Sequence, residues 1–337
     1  MNKHRKLKDY KNLNILITGG LGFIGSNIAH KLVTLGANVT IIDNLAPLYG
    51  GNKFNIKGIE ERVKFVKGDV RDQEKIAKLV KNKNIIFHLA AQVSPIDSTS
   101  MPFDDLDINC RGYINILEEC RKSNKDAKII FSSSRLALGK ITENIVTETH
   151  PAHPLNFYGI HKLASEKYSY VYHKTYGLKT TVLRLTNPYG ERQQIKHSKY
   201  SIPGWFMRQA MEGGTIKIFG DGKQKRDYIH IADLVDAFLL AGISDNTSGK
   251  LYNCGYGRSI EFRTMVENIV KIVRNGKVEY VPWPSNYANE ETGDFETSIK
   301  NIFNDTGWKP KTSIEKGLKQ MFNYYKKHSK QYIPKNN

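Results

Sequence analysis

Apolar residues in the first half of the chain come in short β-branched runs separated by stretches with helical spacing. Runs over 13–18, 38–42, 63–67, 85–89, 128–132 and 180–185 read as strands, and the stretches over 23–35, 73–80, 104–122 and 156–176 read as helices. Strict alternation of strand and helix predicts a parallel sheet covered on both faces, so the expected fold is α/β, a Rossmann-type doubly wound parallel sheet. After Asn187 the rhythm changes to mixed short elements. Helices are expected over 203–211, 231–240, 259–273 and 314–325, and short strands over 216–218, 250–253 and 278–281. Turns at Gly213-Gly214, Gly220-Asp221-Gly222 and Pro282-Trp283-Pro284 separate them. These elements predict a small mixed α/β C-terminal lobe. The expected division is a first domain over 1–187 with a return segment over about 228–254, and a second lobe from 188–227 and 255–337. The chain is expected to rejoin the first sheet once, near 228–240.

A length of 337 residues exceeds a typical single domain, and 39% hydrophobic residues suffice for two cores. No apolar run approaches the roughly 20 residues of a membrane helix; the longest, around 234–243, is broken by Asp236. The basic N-terminus has no apolar segment behind it, so a secretion signal is not expected, and a soluble cytoplasmic protein is. Cys110 and Cys120 fall on one helix, where ten residues span about 15 Å, too far for a disulfide. Cys254 stands alone, no metal spacing is present, and all three are expected as buried small hydrophobes. The net charge of +18 is mostly lysine, dispersed and denser at the two ends. It carries no aromatic-interleaved basic stripe and no nucleic-acid motif, so a solvated surface is expected, with no nucleic acid and no membrane as partner. Such a field still attracts anionic small molecules.

The first strand runs into Thr18-Gly19-Gly20-Leu21-Gly22-Phe23-Ile24-Gly25-Ser26 and then a helix. Strand, glycine turn and helix N-terminus form the context in which backbone amides receive a pyrophosphate. The second strand leads to Asp43, 18 residues after Gly25. A carboxylate there can hydrogen-bond both hydroxyls of an adenosine ribose and repels a 2′-phosphate, which favours NAD over NADP. Asp69, after the third strand, can contact an adenine amino group. The small residues after His88 let a cofactor backbone lie close, although core packing explains them equally well. Tyr158 and Lys162 are four residues apart on a helix and share a face. An ammonium beside a phenol favours the phenolate and turns a group of pKa about 10 into a usable base.

With these residues in place the chain resembles the extended short-chain dehydrogenase/reductase family, in its NAD-dependent nucleotide-sugar epimerase and dehydratase branch. The resemblance is carried by 18–25, Asp43, Gly68-Asp69-Val70, 88–92, the serines before Gly139, 158–162, 183–190, 225–234 and the late Gly293-Asp294 followed by 306–310. It implies catalytic roles for Ser134, Tyr158 and Lys162, with Ser134 orienting the reacting sugar hydroxyl and Tyr158 taking its proton. It implies NAD contacts at Gly19, Gly22, Phe23, Ile24, Gly25, Asp43, Asn44, Asp69, Val70, Leu89, Ala90, Ala91, Gln92 and Asn109. Ser132 and Ser133 belong to the same set, on the nicotinamide side, together with Tyr158 and Lys162. Substrate contacts are implied at Ser94, Ser134, Asn187 and Arg226, the last two holding a nucleotide diphosphate. A homodimer through a four-helix bundle of the helices over 104–122 and 156–176 is also implied.

The same resemblance narrows the reaction. Sugar 4,6-dehydratases carry an Asp-Glu pair directly after the Ser or Thr; here Arg135 and Leu136 stand instead, and leucine cannot exchange protons. Family reductases usually prefer NADP, against which Asp43 argues. Epimerisation at C4 through a transient 4-keto sugar needs no group beyond Ser134, Tyr158 and Lys162, and is the expected activity on a nucleotide-diphosphate sugar. Two alternatives stay open: a decarboxylase of the UDP-glucuronate type, in which Arg135 would hold the carboxylate, and a dinucleotide-binding scaffold without catalysis. Leu138 replaces the tyrosine usual before the glycine, and Glu290-Glu291-Thr292 stand where an arginine often binds pyrophosphate.

Overall fold

The computed structural model describes residues 6–47, 49–284 and 291–333. Its strands are β1 (Asn14–Thr18), β2 (Asn38–Asp43), β3 (Val63–Lys67), β4 (Ile85–His88), β5 (Lys128–Ser134), β6 (Lys179–Leu185), β7 (Asn187–Tyr189), β8 (Thr215–Phe219), β9 (Lys225–His230), β10 (Lys250–Cys254), β11 (Ser259–Glu261) and β12 (Lys277–Val281). Its helices are α1 (Phe23–Thr34), α2 (Gln73–Leu79), α3 (Pro95–Ser100), α4 (Pro102–Leu106), α5 (Gly112–Ser123), α6 (Phe157–Tyr176), α7 (Ile202–Met211), α8 (Ile231–Ile243), α9 (Phe262–Val273), α10 (Lys300–Thr306) and α11 (Ile314–His328).

Alternation along β1 sets the layers. Ile15 and Ile17 face one side of the sheet and meet Ile28 and Leu32 of α1 and Leu234 and Phe238 of α8. Leu16 faces the other and joins Ile86, Ile129, Phe131, Ile76 of α2 and Ile116 and Leu117 of α5. Strands buried on both faces read as continuous apolar runs, as β1, β2 and β4 do, whereas β3, at the sheet edge, has no buried residue and shows apolar residues between lysines. The seven-stranded sheet is parallel throughout, in the order β10-β6-β5-β4-β1-β2-β3. The order reverses between β1 and β4, and at such a point the strand C-termini open a crevice for a ligand.

The strand that rejoins the sheet is β10, paired with β6, and not a segment within 228–240. Residues 225–230 instead form the middle strand of a small sheet ordered β11-β9-β7. The stretch over 259–273 begins with three residues of β11, antiparallel to β9, before the helix starts at Phe262. The helix expected over 104–122 starts at Pro102 and carries a π turn over Asp107–Arg111. A third cluster around Met207, Met265, Met321, Ile216, Ile218 and Tyr325 joins α7, α9, α11 and β8. Cys110, Cys120 and Cys254 are free and buried, as the spacing predicted. No described helix is long and apolar enough to cross a membrane.

Candidate active site

The C-terminal ends of β1, β2, β4, β5 and β6 open into a cavity of about 840 Å³, closed on the far side by residues of the second lobe. The glycine turn forms its floor. Gly19 adopts φ +68°, and a Cβ there would lie 2.8 Å from the Ala90 nitrogen. A Cβ on Gly25 would meet the Gly19 carbonyl oxygen at 2.4 Å, so both positions need glycine for close backbone approach. Gly22 is the N-cap of α1 and offers no side-chain cap, which leaves the first amides of the helix without a side-chain acceptor at the cavity rim.

Asp43 closes β2 at the same rim. Its carboxylate accepts from the Leu21 and Leu45 amides at 3.0 and 2.8 Å, and burial pushes its pKa up from the ordinary value. Asn44 donates to Asp69 at 2.9 Å. Burial tends to raise the Asp69 pKa, but hydrogen bonds from Arg71 and Asn44 outweigh it and hold the group at about 2. An uncapped helix start, a ribose-reach carboxylate and a glycine cradle fit the dinucleotide implied by the sequence. Gly19, Gly22, Phe23, Ile24, Gly25, Asp43, Asn44, Asp69, Val70, Leu89, Ala90 and Ala91 all line the cavity.

Gln92, Ser94 and Asn109 do not. Ser94, expected at the substrate, is fully buried as the N-cap of α3, and its hydroxyl accepts from the Asp97 amide at 3.1 Å. Gln92 hydrogen-bonds both the Ser94 carbonyl and the Ser94 amide, and Asn109 donates to the Gln92 carbonyl at 3.1 Å. The three form a buried brace behind the cavity wall, with Asn109 presented by the π turn. Thr18 and His88, which the motif reading passed over, tie β1 to β4: the Thr18 hydroxyl pairs with His88 Nδ1 at 2.9 Å and accepts from the Leu89 and Ala90 amides at 3.1 Å.

Ser132, Ser133, Ser134, Tyr158 and Lys162 converge on the opposite wall. Ser133 borders the cavity, yet its hydroxyl donates to Glu166 at 2.6 Å, and Glu166 forms a bidentate pair with Arg184 at 3.0 and 2.7 Å. That engagement leaves Ser134 as the serine beside Tyr158. Lys162 Nζ donates to the Ser132 carbonyl at 3.0 Å and lies 5.7 Å from the Tyr158 ring centre. The lysine-driven fall in phenol pKa expected from spacing is not what dominates. Burial raises Tyr158 well above the usual phenol range, against a smaller opposing effect of the Ser134 hydroxyl. Burial also lowers Lys162 to about 8, with Asp105 pulling the other way. Asp105 is itself buried and pairs with His161 Nδ1 at 2.5 Å.

Toward the second lobe, Arg135, Asn187, Arg226 and Glu291 line the cavity together. Arg226, expected to hold a diphosphate, is already paired: Nη2 meets Glu291 Oε1 at 2.5 Å, and Nη1 donates to the Lys225 and Gly293 carbonyls at 2.8 and 3.0 Å. The carboxylate at 291 is the cause, since it stands where the resemblance leads one to expect an arginine. Glu290 lies outside the described residues. The Asn187 amide is used at both ends, donating to the Asp227 carbonyl at 2.9 Å and accepting from Arg135 Nε at 3.3 Å. Arg135 Nη1 donates to the Thr292 hydroxyl at 2.8 Å, and its guanidinium lies 5.6 Å from the Phe295 ring centre. Burial, followed by the neighbouring Arg226, lowers its pKa to about 10. Leu136 lines the cavity with no acid or base to offer, and Leu138 is buried with Val146 and Phe295 in a small apolar cluster.

Known proteins share this fold over nearly the full length. A putative UDP-glucose 4-epimerase of Methanocaldococcus jannaschii is 34% identical over 94% of this chain and 99% of its own. The UDP-glucose 4-epimerase of Thermotoga maritima, solved with UDP-glucose, superposes with a TM-score of 0.86 at 32% identity, covering 94% of this chain and all of that one. The UDP-glucose 4-epimerase of Thermus thermophilus, solved with NAD, superposes with a TM-score of 0.83 at 28% identity over 94% and 99% of the two chains. Residues 15–255 match the NAD dependent epimerase/dehydratase family, and the cavity at the strand ends is the one its cofactor calls for, so this chain is a member of that family.

Proposed function

We propose that the protein epimerises a nucleotide-diphosphate sugar at C4 with tightly bound NAD. The observation that carries this reading is the joining of Ser134, Tyr158 and Lys162 on one cavity wall, with Arg135 and Leu136 lining it in the two positions where sugar dehydratases carry an eliminating acid and base. NAD supplies a hydride acceptor that can return what it takes. Tyr158 receives the proton of the sugar hydroxyl, and Ser134 orients that hydroxyl. Lys162, fixed on the Ser132 carbonyl, holds a positive charge near Tyr158 and so favours the phenolate form that accepts this proton. The roles of the remaining wall residues follow from their positions: glycine-turn amides for the pyrophosphate, Asp43 for the ribose, and the Gln92–Ser94–Asn109 brace for wall rigidity.

The working unit in this reading is a homodimer with a dinucleotide-binding lobe and a sugar-nucleotide lobe. Phe157, Ile160 and Val171 support it, because they form one stripe on α6 and are 42%, 46% and 49% exposed. Incubation with UDP-, GDP-, CDP- and dTDP-sugars, with products read by NMR, tests the reaction. A C4 epimer is expected, and Tyr158→Phe should slow its formation by about 10²- to 10⁴-fold. A product unsaturated or deoxygenated at C6 would overturn the assignment, and a pentose with carbon dioxide would move it to decarboxylation.

A further inference from the structure

Arg135 and Arg226 sit side by side at the second-lobe end of the cavity, but their bonding differs. Arg226 is satisfied within the protein by one carboxylate and two carbonyls. Arg135 donates from Nε and Nη1 to neutral oxygens only, those of Asn187 and Thr292. Among the described residues no carboxylate lies within ion-pair distance of it, and its Nη2 has no protein acceptor. Among the described residues the two guanidiniums therefore share a single carboxylate, Glu291, which Arg226 already holds at 2.5 Å. One positive charge is left over in a partly desolvated wall, where an unpaired charge is costly unless a ligand supplies its partner. The residue is also pre-oriented: Asn187, Thr292 and the Phe295 ring fix the guanidinium plane, so a bound anion meets a fork that costs little further ordering.

We propose that Arg135, and not Arg226, is the guanidinium that receives an oxyanion of the substrate, and that the Arg226–Glu291 pair is a neutral part of the wall. The oxyanion is either the diphosphate or a carboxylate carried by the sugar. The second source is open because Arg135 follows Ser134 directly and lines the same cavity. This inference rests on the sugar-nucleotide reading above.

The test is calorimetric titration of the NAD-loaded enzyme, wild type, Arg135→Met and Arg135→Lys, first with UDP, GDP, CDP and dTDP. The tightest of these is then compared with its glucose and glucuronate derivatives. Arg135→Met is expected to lose about 10- to 100-fold in affinity, the range of a charge-assisted hydrogen bond. An equal loss for all three ligands identifies the diphosphate as the partner, and a loss confined to the glucuronate derivative identifies the sugar carboxylate. Arg135→Lys should recover part of the affinity, because it restores the charge without the bonds to Asn187 and Thr292; equal loss in both variants means a structural role and overturns the proposal. Binding by Arg135→Met within threefold of wild type for every ligand also overturns it, leaving the epimerase reading intact. Failure of the wild type to bind any of the four nucleotides sinks the sugar-nucleotide reading, and this inference with it.

Discussion

His88 ends β4 against the glycine turn, fully buried, with its ring stacked 4.9 Å from that of Tyr113 and Nδ1 on Thr18. Burial, followed by the charge of Lys162, lowers its pKa from 6.5 to about 3. The folded protein therefore keeps it neutral where the unfolded chain has already taken up a proton. Between pH 6.5 and 3 the unfolded state binds more protons, so stability falls as pH drops, by at most about 1.4 kcal/mol per pH unit from this residue. Denaturant unfolding at pH 7 and pH 5 should show that contribution, and His88→Phe, which keeps the stack and removes the titration, should shrink the difference between the two by about 1–2 kcal/mol. An unchanged difference would mean that other groups carry the acid sensitivity. Ser133 makes a related point at the same strand level. The resemblance places it on the nicotinamide side, but its hydroxyl donates to Glu166, which Arg184 holds in turn, and no sequence signal links residues 133, 166 and 184.

At the level of elements, the glycine turn is where sequence and structure agree most closely, because its requirement is steric. A methyl group on Gly25 would enter the Gly19 carbonyl and approach the Gly20 Cα at 2.8 Å. Gly25→Ala should cost about 1–3 kcal/mol by forcing the turn open, and the purified variant should carry less bound NAD, measurable as nucleotide released on denaturation; full NAD content would contradict the cradle. Strands β1, β2 and β4 were legible for an equally simple reason, since buried parallel strands need continuous apolar runs. Strand β9 was not, because Lys225, Arg226 and Asp227 fill half of it with charge. Asp227 is nevertheless fully buried, accepting amides from Tyr256, Gly257 and Thr297, a pattern that depends on residues 30 and 70 positions away. Helix α3 starts at a proline and is six residues long, too short to show a period. The same limit governs the site. Residues of the local motifs that line the cavity were legible, whereas the engagement of Arg226 by Glu291 joins segments 65 positions apart and appears only in the fold.

At the scale of the whole molecule, the distribution of exposed apolar groups is what supports the proposed dimer. Phe157, Ile160 and Val171 recur at helical spacing on α6, and Phe103 and Leu106 add a second apolar edge on α4 at 81% and 41% exposure. On a chain with a net charge of +18, a contiguous apolar face works against self-repulsion only if a partner covers it. Burying a side chain of this size contributes about 1.5–3 kcal/mol, so Ile160→Asp with Val171→Asp should weaken a dimer by about two orders of magnitude or more. Sedimentation velocity at micromolar concentration should then show monomer for the double variant and dimer for the wild type. Because both side chains are exposed in the single chain, the variant monomer should keep its NAD and unfold within a few degrees of the wild type. A wild type that sediments as a monomer would remove the dimer. A double variant that remains dimeric would move the interface off α6, and the stripe would then need another partner to explain its spacing.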